Sequence, residues 1–328
     1  MTRLPHRLLG LVGVVAVLAV AAVATGFTTG DSPTKVDFQL SWLPGGDNLG
    51  FWAALDKGYY RQEGLDVNIR SSNDPTQSIK LIASGQRKLG IAYVGDILTS
   101  ASKGSPVLAV AALTNKSPFG IIALSKSGIR SAKDLKGKRV GVTSLPIDQA
   151  FFNYMLKKAG VSRSDVKIVD PGFGGIQQVI QGNLDATSAV ADYEPAVLES
   201  KGIKGYRFIY YAQYGTPDAP FYAISANPGW AKDNGETIKK FIRATKRGFA
   251  WATKNPNQAA ALFVKRYPDQ DKKLVATIWT NESKLHGTLR NDVAKYQALA
   301  NFLLREKMLD RKVNAGTLVT NTYLGKQG

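Results

Sequence analysis

Two stretches of this chain, about 100 residues apart, repeat one order of elements: strand, helix, glycine, strand, helix, glycine, strand. The first has strands at Val36 to Leu40, Leu65 to Ile69 and Leu89 to Val94. Helices lie between them, near Phe51 to Lys57 and from Pro75 to Ser84, with stops at Gly58, Gly64 and Gly85. The second has strands at Arg139 to Val142, Val166 to Val169 and Ala186 to Val190, with helices Gln149 to Ala159 and Ile176 to Gln181 and stops at Gly160 and Gly182. Each glycine stands where a helix end calls for a left-handed residue. Strands alternating with helices predict right-handed crossovers and a parallel sheet covered on both faces. The fold class is therefore α/β, with two doubly wound lobes.

Val107 to Leu124 is strand-rich and leads into the second lobe, and Phe221 to Ala226 leads out of it, so two crossings form a hinge near Leu124 to Lys126 and Phe221 to Ser225. The expected limits are residues 25–125 with 226–328 for the first lobe and 126–225 for the second. After Asn227-Pro228-Gly229, the residues Ile238, Phe241, Ile242, Thr245, Phe249 and Ala252 fall on one helical face that Asn255-Pro256 ends. Helices over Gln258 to Arg266, Lys272 to Leu285 and Asp292 to Met308 follow, and all are expected to complete the first lobe.

Arg3 and Arg7 precede an apolar run from Leu8 to Ala24 that ends in Ala22-Val23-Ala24, the pattern of a secretory signal peptide over residues 1–24. An uncleaved anchor is the alternative, and either places the folded part outside the cytoplasm, in or at the cell envelope. The run is not followed by a cysteine that could carry a lipid. The formal charge of +18 suits an anionic surface, but the basic residues are scattered and form no nucleic-acid motif. With Cys 0 and His 2 there is no thiolate nucleophile or zinc-thiolate site, and a Ser-His-Asp triad or histidine metal cluster is not expected. No catalytic residue, metal or cofactor is expected.

In open α/β sheets, ligands sit beyond the carboxyl ends of the strands. The loops there hold Ser41-Trp42-Leu43-Pro44-Gly45-Gly46-Asp47-Asn48, then Tyr93-Val94-Gly95-Asp96, Thr143-Ser144 and Asp192-Tyr193-Glu194. Aromatic faces beside amides, hydroxyls and carboxylates suit a small planar polar ligand. The structural alternative is that Trp42 and Tyr93 only pack loop against lobe. Asp192 and Glu194 are the sharpest titratable pair; with no nucleophile or metal ligand nearby they read as hydrogen-bond acceptors, Glu194 for the ligand and Asp192 for the helix that follows. Gly172-Phe173-Gly174-Gly175 lacks a phosphate-loop pattern and reads as helix capping. His286 reads as a polar surface residue.

Phe38-Gln-Leu-Ser-Trp42-Leu-Pro44 and Gly50-Phe-Trp-Ala-Ala-Leu-Asp-Lys-Gly58-Tyr-Tyr60-Arg-Gln-Glu-Gly64-Leu-Asp-Val67 resemble the opening of bilobal solute-binding proteins of ABC importers. Ala132-Lys-Asp-Leu-Lys-Gly-Lys-Arg-Val-Gly141, Gln181-Gly-Asn-Leu-Asp185-Ala186, Asp192-Tyr-Glu194 and Tyr214-Gly-Thr-Pro217 extend the resemblance to about Val36 to Pro256. The branch is that of nitrate, sulfonate, taurine and thiamine-pyrimidine binders (NMT1-like). The resemblance implies a type II periplasmic-binding fold, a small-molecule solute, a membrane ABC permease as partner and a monomer that binds no nucleic acid. Its expected ligand residues are Trp42, Asp47, Asn48, Tyr93, Phe119, Thr143, Ser144, Asp192, Tyr193, Glu194 and Tyr214. The solute expected is heteroaromatic and thiamine-pyrimidine-like, with riboflavin-type solutes open and an alkyl sulfonate, nitrate or other small anion as the alternative. Related enzymes that make the pyrimidine use a histidine in the opening loop and a cysteine cluster; here Asn48 takes the histidine position and cysteine is missing, which argues against an enzyme. An adhesion or sensor domain is the third reading.

Overall fold

The structure, a computed structural model, describes residues 32–325, so the expected signal peptide lies outside the described residues. The chain begins with β1 (Thr34–Gln39), α1 (Leu49–Asp56), α2 (Tyr59–Gln62), β2 (Leu65–Arg70), α3 (Gln77–Ala83), β3 (Leu89–Tyr93), α4 (Val94–Ser102) and β4 (Leu108–Ala112). It continues through β5 (Phe119–Leu124), β6 (Arg139–Gly141), α5 (Pro146–Ala159), β7 (Lys167–Val169), α6 (Gly175–Gln181), β8 (Ala186–Val190), α7 (Tyr193–Ser200) and β9 (Tyr206–Tyr210). It then returns as β10 (Tyr222–Ala226) and ends in α8 (Pro228–Asp233), α9 (Gly235–Lys254), α10 (Pro256–Arg266), α11 (Lys272–Glu282) and α12 (Val293–Arg305).

Among the described residues the strands form two five-stranded sheets, ordered β2-β1-β3-β10-β4 and β7-β6-β8-β5-β9. Neither is wholly parallel, contrary to expectation: β10 runs antiparallel to β3 and β4, and β5 antiparallel to β8 and β9. The reason is the direction of arrival. Strand β4 ends on the same edge as β3, the chain crosses directly to the other sheet, and β5 must enter from the edge where β8 ends and run away from it. The return into β10 repeats this. The crossings are therefore residues 113–118 and 211–221, and the expected hinge positions at Leu124 and Phe221 to Ser225 fall within or against strands. By sheet membership β5 belongs with the second sheet, ahead of the expected limit at residue 125.

Three apolar clusters hold the layers. One lies between the first sheet and α1, α9 and α10, with Phe38 and Phe241 rings 4.7 Å apart. A smaller one joins the second sheet to α6 and α7. The third is common to both halves: Ala92 and Val94 of the first, Val140 and Phe152 of the second, and Phe302 of α12 belong to it. Burying side chains of this size stabilises by about 1.5–3 kcal/mol each. The C-terminal helices do more than complete the first lobe. Phe302 of α12 meets Phe151 of α5 edge-on at 5.2 Å, and Leu274 of α11 packs on the small cluster of the second sheet. No helix among the described residues is long and apolar enough to cross a membrane.

Candidate functional site

The strand order splits between β1 and β3 in the first sheet and between β6 and β8 in the second, and each split opens the crevice where such sheets bind ligands. Asp47 and Asn48 follow β1, Tyr93 ends β3, Thr143 follows β6 and Asp192 follows β8. The hinge strands begin on these same edges, so Tyr222 lies opposite Tyr93 and Phe119 opposite Val190. An aromatic row results: Tyr93 to Phe221 at 4.9 Å and Phe221 to Phe119 at 4.9 Å. Buried aromatics in such pairs add about 0.5–1.5 kcal/mol beyond burial and fix the floor between the halves.

Acids collect beside that row, where Tyr222 adjoins Phe221 at 5.0 Å. Burial pushes the Asp47 carboxyl up to about 7, with repulsion from Glu282 next, while Asn48 Nδ2 donates to Asp47 Oδ2 at 2.8 Å and works against the rise. Asp192, 8% exposed, is held well above the carboxylate range by burial first, then by Glu282, Asp47 and Glu194. Tyr93 is pushed up to about 12 by burial. Glu282, 1% exposed at the end of α11, accepts the Tyr222 hydroxyl, and its Oε1 lies 3.1 Å from His286 Nε2. His286 is thus no surface residue: its ring stacks on Phe249 at 4.9 Å and meets Trp279 at 5.2 Å. Three carboxyls, two aromatic hydroxyls and an amide form one polar cluster where the halves meet. Such a cluster accepts hydrogen bonds and positive charge.

Asp192 of the Asp192-Tyr193-Glu194 loop does not cap the helix as expected, and Glu194 is held by a backbone amide. Glu194 Oε2 turns back to accept Val190 N at 2.8 Å, whereas Asp192 is the residue at the α7 N-cap yet makes no cap hydrogen bond with its side chain. A residue at the N-cap with helical backbone angles cannot aim its carboxyl at the first-turn amides, and Asp192 has φ −92° and ψ −41°. Burial still raises Glu194 to about 7. Tyr193 is 42% exposed and Ser144 is exposed. Thr143 donates through N and Oγ1 to Asp148 Oδ2 at 3.1 and 2.8 Å, and Tyr211 donates to Asp148 Oδ1 at 3.1 Å. Tyr214 is engaged elsewhere, its hydroxyl accepting Ala132 N at 2.9 Å.

Trp42 meets Phe173, the two rings 5.9 Å apart at 42°. Phe173 is 76% exposed, on the glycine loop before α6, so the pair spans the two halves at the rim. Sequence reasoning missed Glu282, Tyr222, His286, Phe221 and Asp148. Of these only Tyr222 and Phe221 carried a signal, as the first residues of a returning strand.

Two five-stranded α/β sheets joined by two crossings, with a polar cluster between them, define a protein of the periplasmic binding fold. The periplasmic aliphatic sulphonate binding protein SsuA from Escherichia coli has this fold: it superposes with a TM-score of 0.70 over 90% of this chain and 100% of its own, at 17% identity. Residues 46–259 match the family described as NMT1/THI5 like, and the chain belongs to that family. It is similar to the formylaminopyrimidine-binding protein of Halalkalibacterium halodurans, 27% identical over 244 residues and 74% of each chain. It is also similar to a 4-amino-5-hydroxymethyl-2-methylpyrimidine phosphate synthase of Saccharomyces cerevisiae, 26% identical over 266 residues and 74% of each chain.

Proposed function

We propose that this protein is the extracytoplasmic solute-binding component of an ABC importer, acting as a monomer that presents a small heteroaromatic amine of the thiamine-pyrimidine type to a membrane permease. The two halves divide along the two sheets and close on the solute about residues 113–118 and 211–221. One observation carries the choice of solute: Asp47, Asp192 and Glu282 gather at the junction, and the largest charge effects on Asp47 and Asp192 come from other carboxyls. An exocyclic amine or ring N–H is a donor such acids accept, and the aromatic row offers flat apolar surface beside them. A sulfonate or nitrate would meet repulsion there. The similarity to a formylaminopyrimidine-binding protein supports the same solute class.

The enzyme reading is the weaker one. Asn48, where the resemblance puts the histidine of the synthases, is buried and hydrogen-bonded to Asp47, and the chain has no cysteine. The test is thermal melting with 4-amino-5-hydroxymethyl-2-methylpyrimidine and with an alkanesulfonate. A solute at 100 times its Kd stabilises the fold by about 2.7 kcal/mol. The pyrimidine should raise the melting temperature and be recovered unchanged. A rise with the sulfonate alone, or turnover of the pyrimidine, would overturn the assignment.

A further inference from the structure

Glu282 lies far from every strand-end loop in sequence, yet its helix α11 packs on the turn at Gly46 to Asn48, where a Cβ on Gly46 would strike Ile278, and it bears on both Asp47 and Asp192. Helix α11, which it ends, packs against α7, which starts beside Asp192. Asp47 follows the first sheet's β1, Glu282 sits on a helix of the same half, and Asp192 follows β8 of the second sheet. Bringing the halves together therefore drives one carboxyl against two others. A second observation marks the place for a ligand. Asn48 is 2% exposed, and with Nδ2 committed to Asp47 Oδ2 its Oδ1 is left buried without a partner beside the cluster. Exchanging the amide's two atoms would only set oxygen against carboxylate.

Building on the reading of a hinged solute binder, we propose that Glu282, together with Asp47 and Asp192, makes closure conditional on a solute that brings positive charge or N–H donors, so that the solute-free protein stays open at neutral pH. The other groups facing the cluster are Tyr93 of β3, with Asp96 of α4 behind it, Glu194 of α7, Tyr222 of β10 and His286 after α11. A solute without donors leaves three desolvated acids to repel one another, and a donor-bearing solute satisfies them and Asn48 Oδ1 at once.

Closed halves can also be satisfied by protons. Asp47 and Asp192 bind protons more tightly where they are buried, so closure without solute is favoured at low pH and lost as pH rises. The closed-to-open ratio falls about tenfold per pH unit for each proton taken up. The window opens above the ordinary carboxylate value of 3.8, because Asp192, the carboxyl that closure brings against the other two, is the group held well above it.

The test is small-angle scattering, with a spin-label distance between the halves, on the mature chain without solute at pH 5 and pH 8. Wild type should be compact at pH 5 and extended at pH 8. Asp192→Asn should raise the closed-to-open ratio at pH 8 about tenfold or more, and Glu282→Gln, which removes one of the carboxyls facing Asp192, should move it in the same direction. Asp192→Asn leaves the Tyr222 and His286 contacts of Glu282 in place, so it reports even where Glu282→Gln folds poorly. A wild type equally compact at both pH values, or an Asp192→Asn protein as open as wild type, would overturn the proposal. Compaction of Asp192→Asn in a protein that binds no aminopyrimidine would leave the closure device standing and remove only the solute assignment.

Discussion

Asp192 and Glu194 stand two residues apart and are chemically alike, and the structure gives them opposite work. Glu194 satisfies a backbone amide of its own loop, and Asp192 is buried among other acids. Replacing Glu194 with Ala should leave Val190 N–H without its acceptor and cost about 1–3 kcal/mol in melting experiments. Asp192→Asn should do the reverse, and only at higher pH. A carboxyl whose folded pKa is raised stabilises the fold below its unfolded value near 3.8 and loses that contribution as pH rises through the folded value. The variant should therefore gain on wild type as pH rises above about 4. A stability difference that does not change with pH would count against a buried, destabilised Asp192. The loop was legible from the sequence because strand ends are where such sheets bind. Which acid faces the junction depended on backbone angles at residue 192, which no periodicity reports, and Glu282 and His286 carried no local motif at all.

At the level of elements, the apolar stripe of α9 was readable residue by residue, and Ile238, Phe241, Ile242, Thr245, Phe249 and Ala252 are all buried. Its closest approach was not. A Cβ on Gly248 would strike the carbonyl oxygen of Gly50 and come within 2.7 Å of Ala54 N, both on the α1 side, so the two helices cross backbone to backbone there. Alanine is favoured over glycine inside a helix by about 1 kcal/mol, but a clash against backbone cannot be relieved by a rotamer change. Gly248→Ala should lower the melting temperature, with a net cost of about 1–3 kcal/mol. A neutral or stabilising result would mean that α9 can slide on α1. Strand order and direction were hidden for a different reason: alternation of residues shows that a strand has two faces, and the antiparallel entry of β5 and β10 follows only from where the chain crosses.

For the whole molecule, the repeated strand and helix order was enough to expect two like halves and a hinge, because glycine stops and amphipathic periods are local signals. The bridging by α11 and α12 was not, since any apolar helix face reads the same whichever half receives it. Through Leu274, α11 reaches the second half, and the Trp42 and Phe173 rings meet separately across the rim. The central claim is that the junction's acids select a donor-bearing ring over an oxyanion. Isothermal titration of 4-amino-5-hydroxymethyl-2-methylpyrimidine and of an alkanesulfonate into wild type and Asp192→Asn tests it directly. Losing a hydrogen bond to a charged acceptor costs about 1.5–3 kcal/mol, so the preference for pyrimidine over sulfonate should fall about tenfold or more in the variant. An unchanged preference, or a wild type that binds the sulfonate and ignores the pyrimidine, would contradict it.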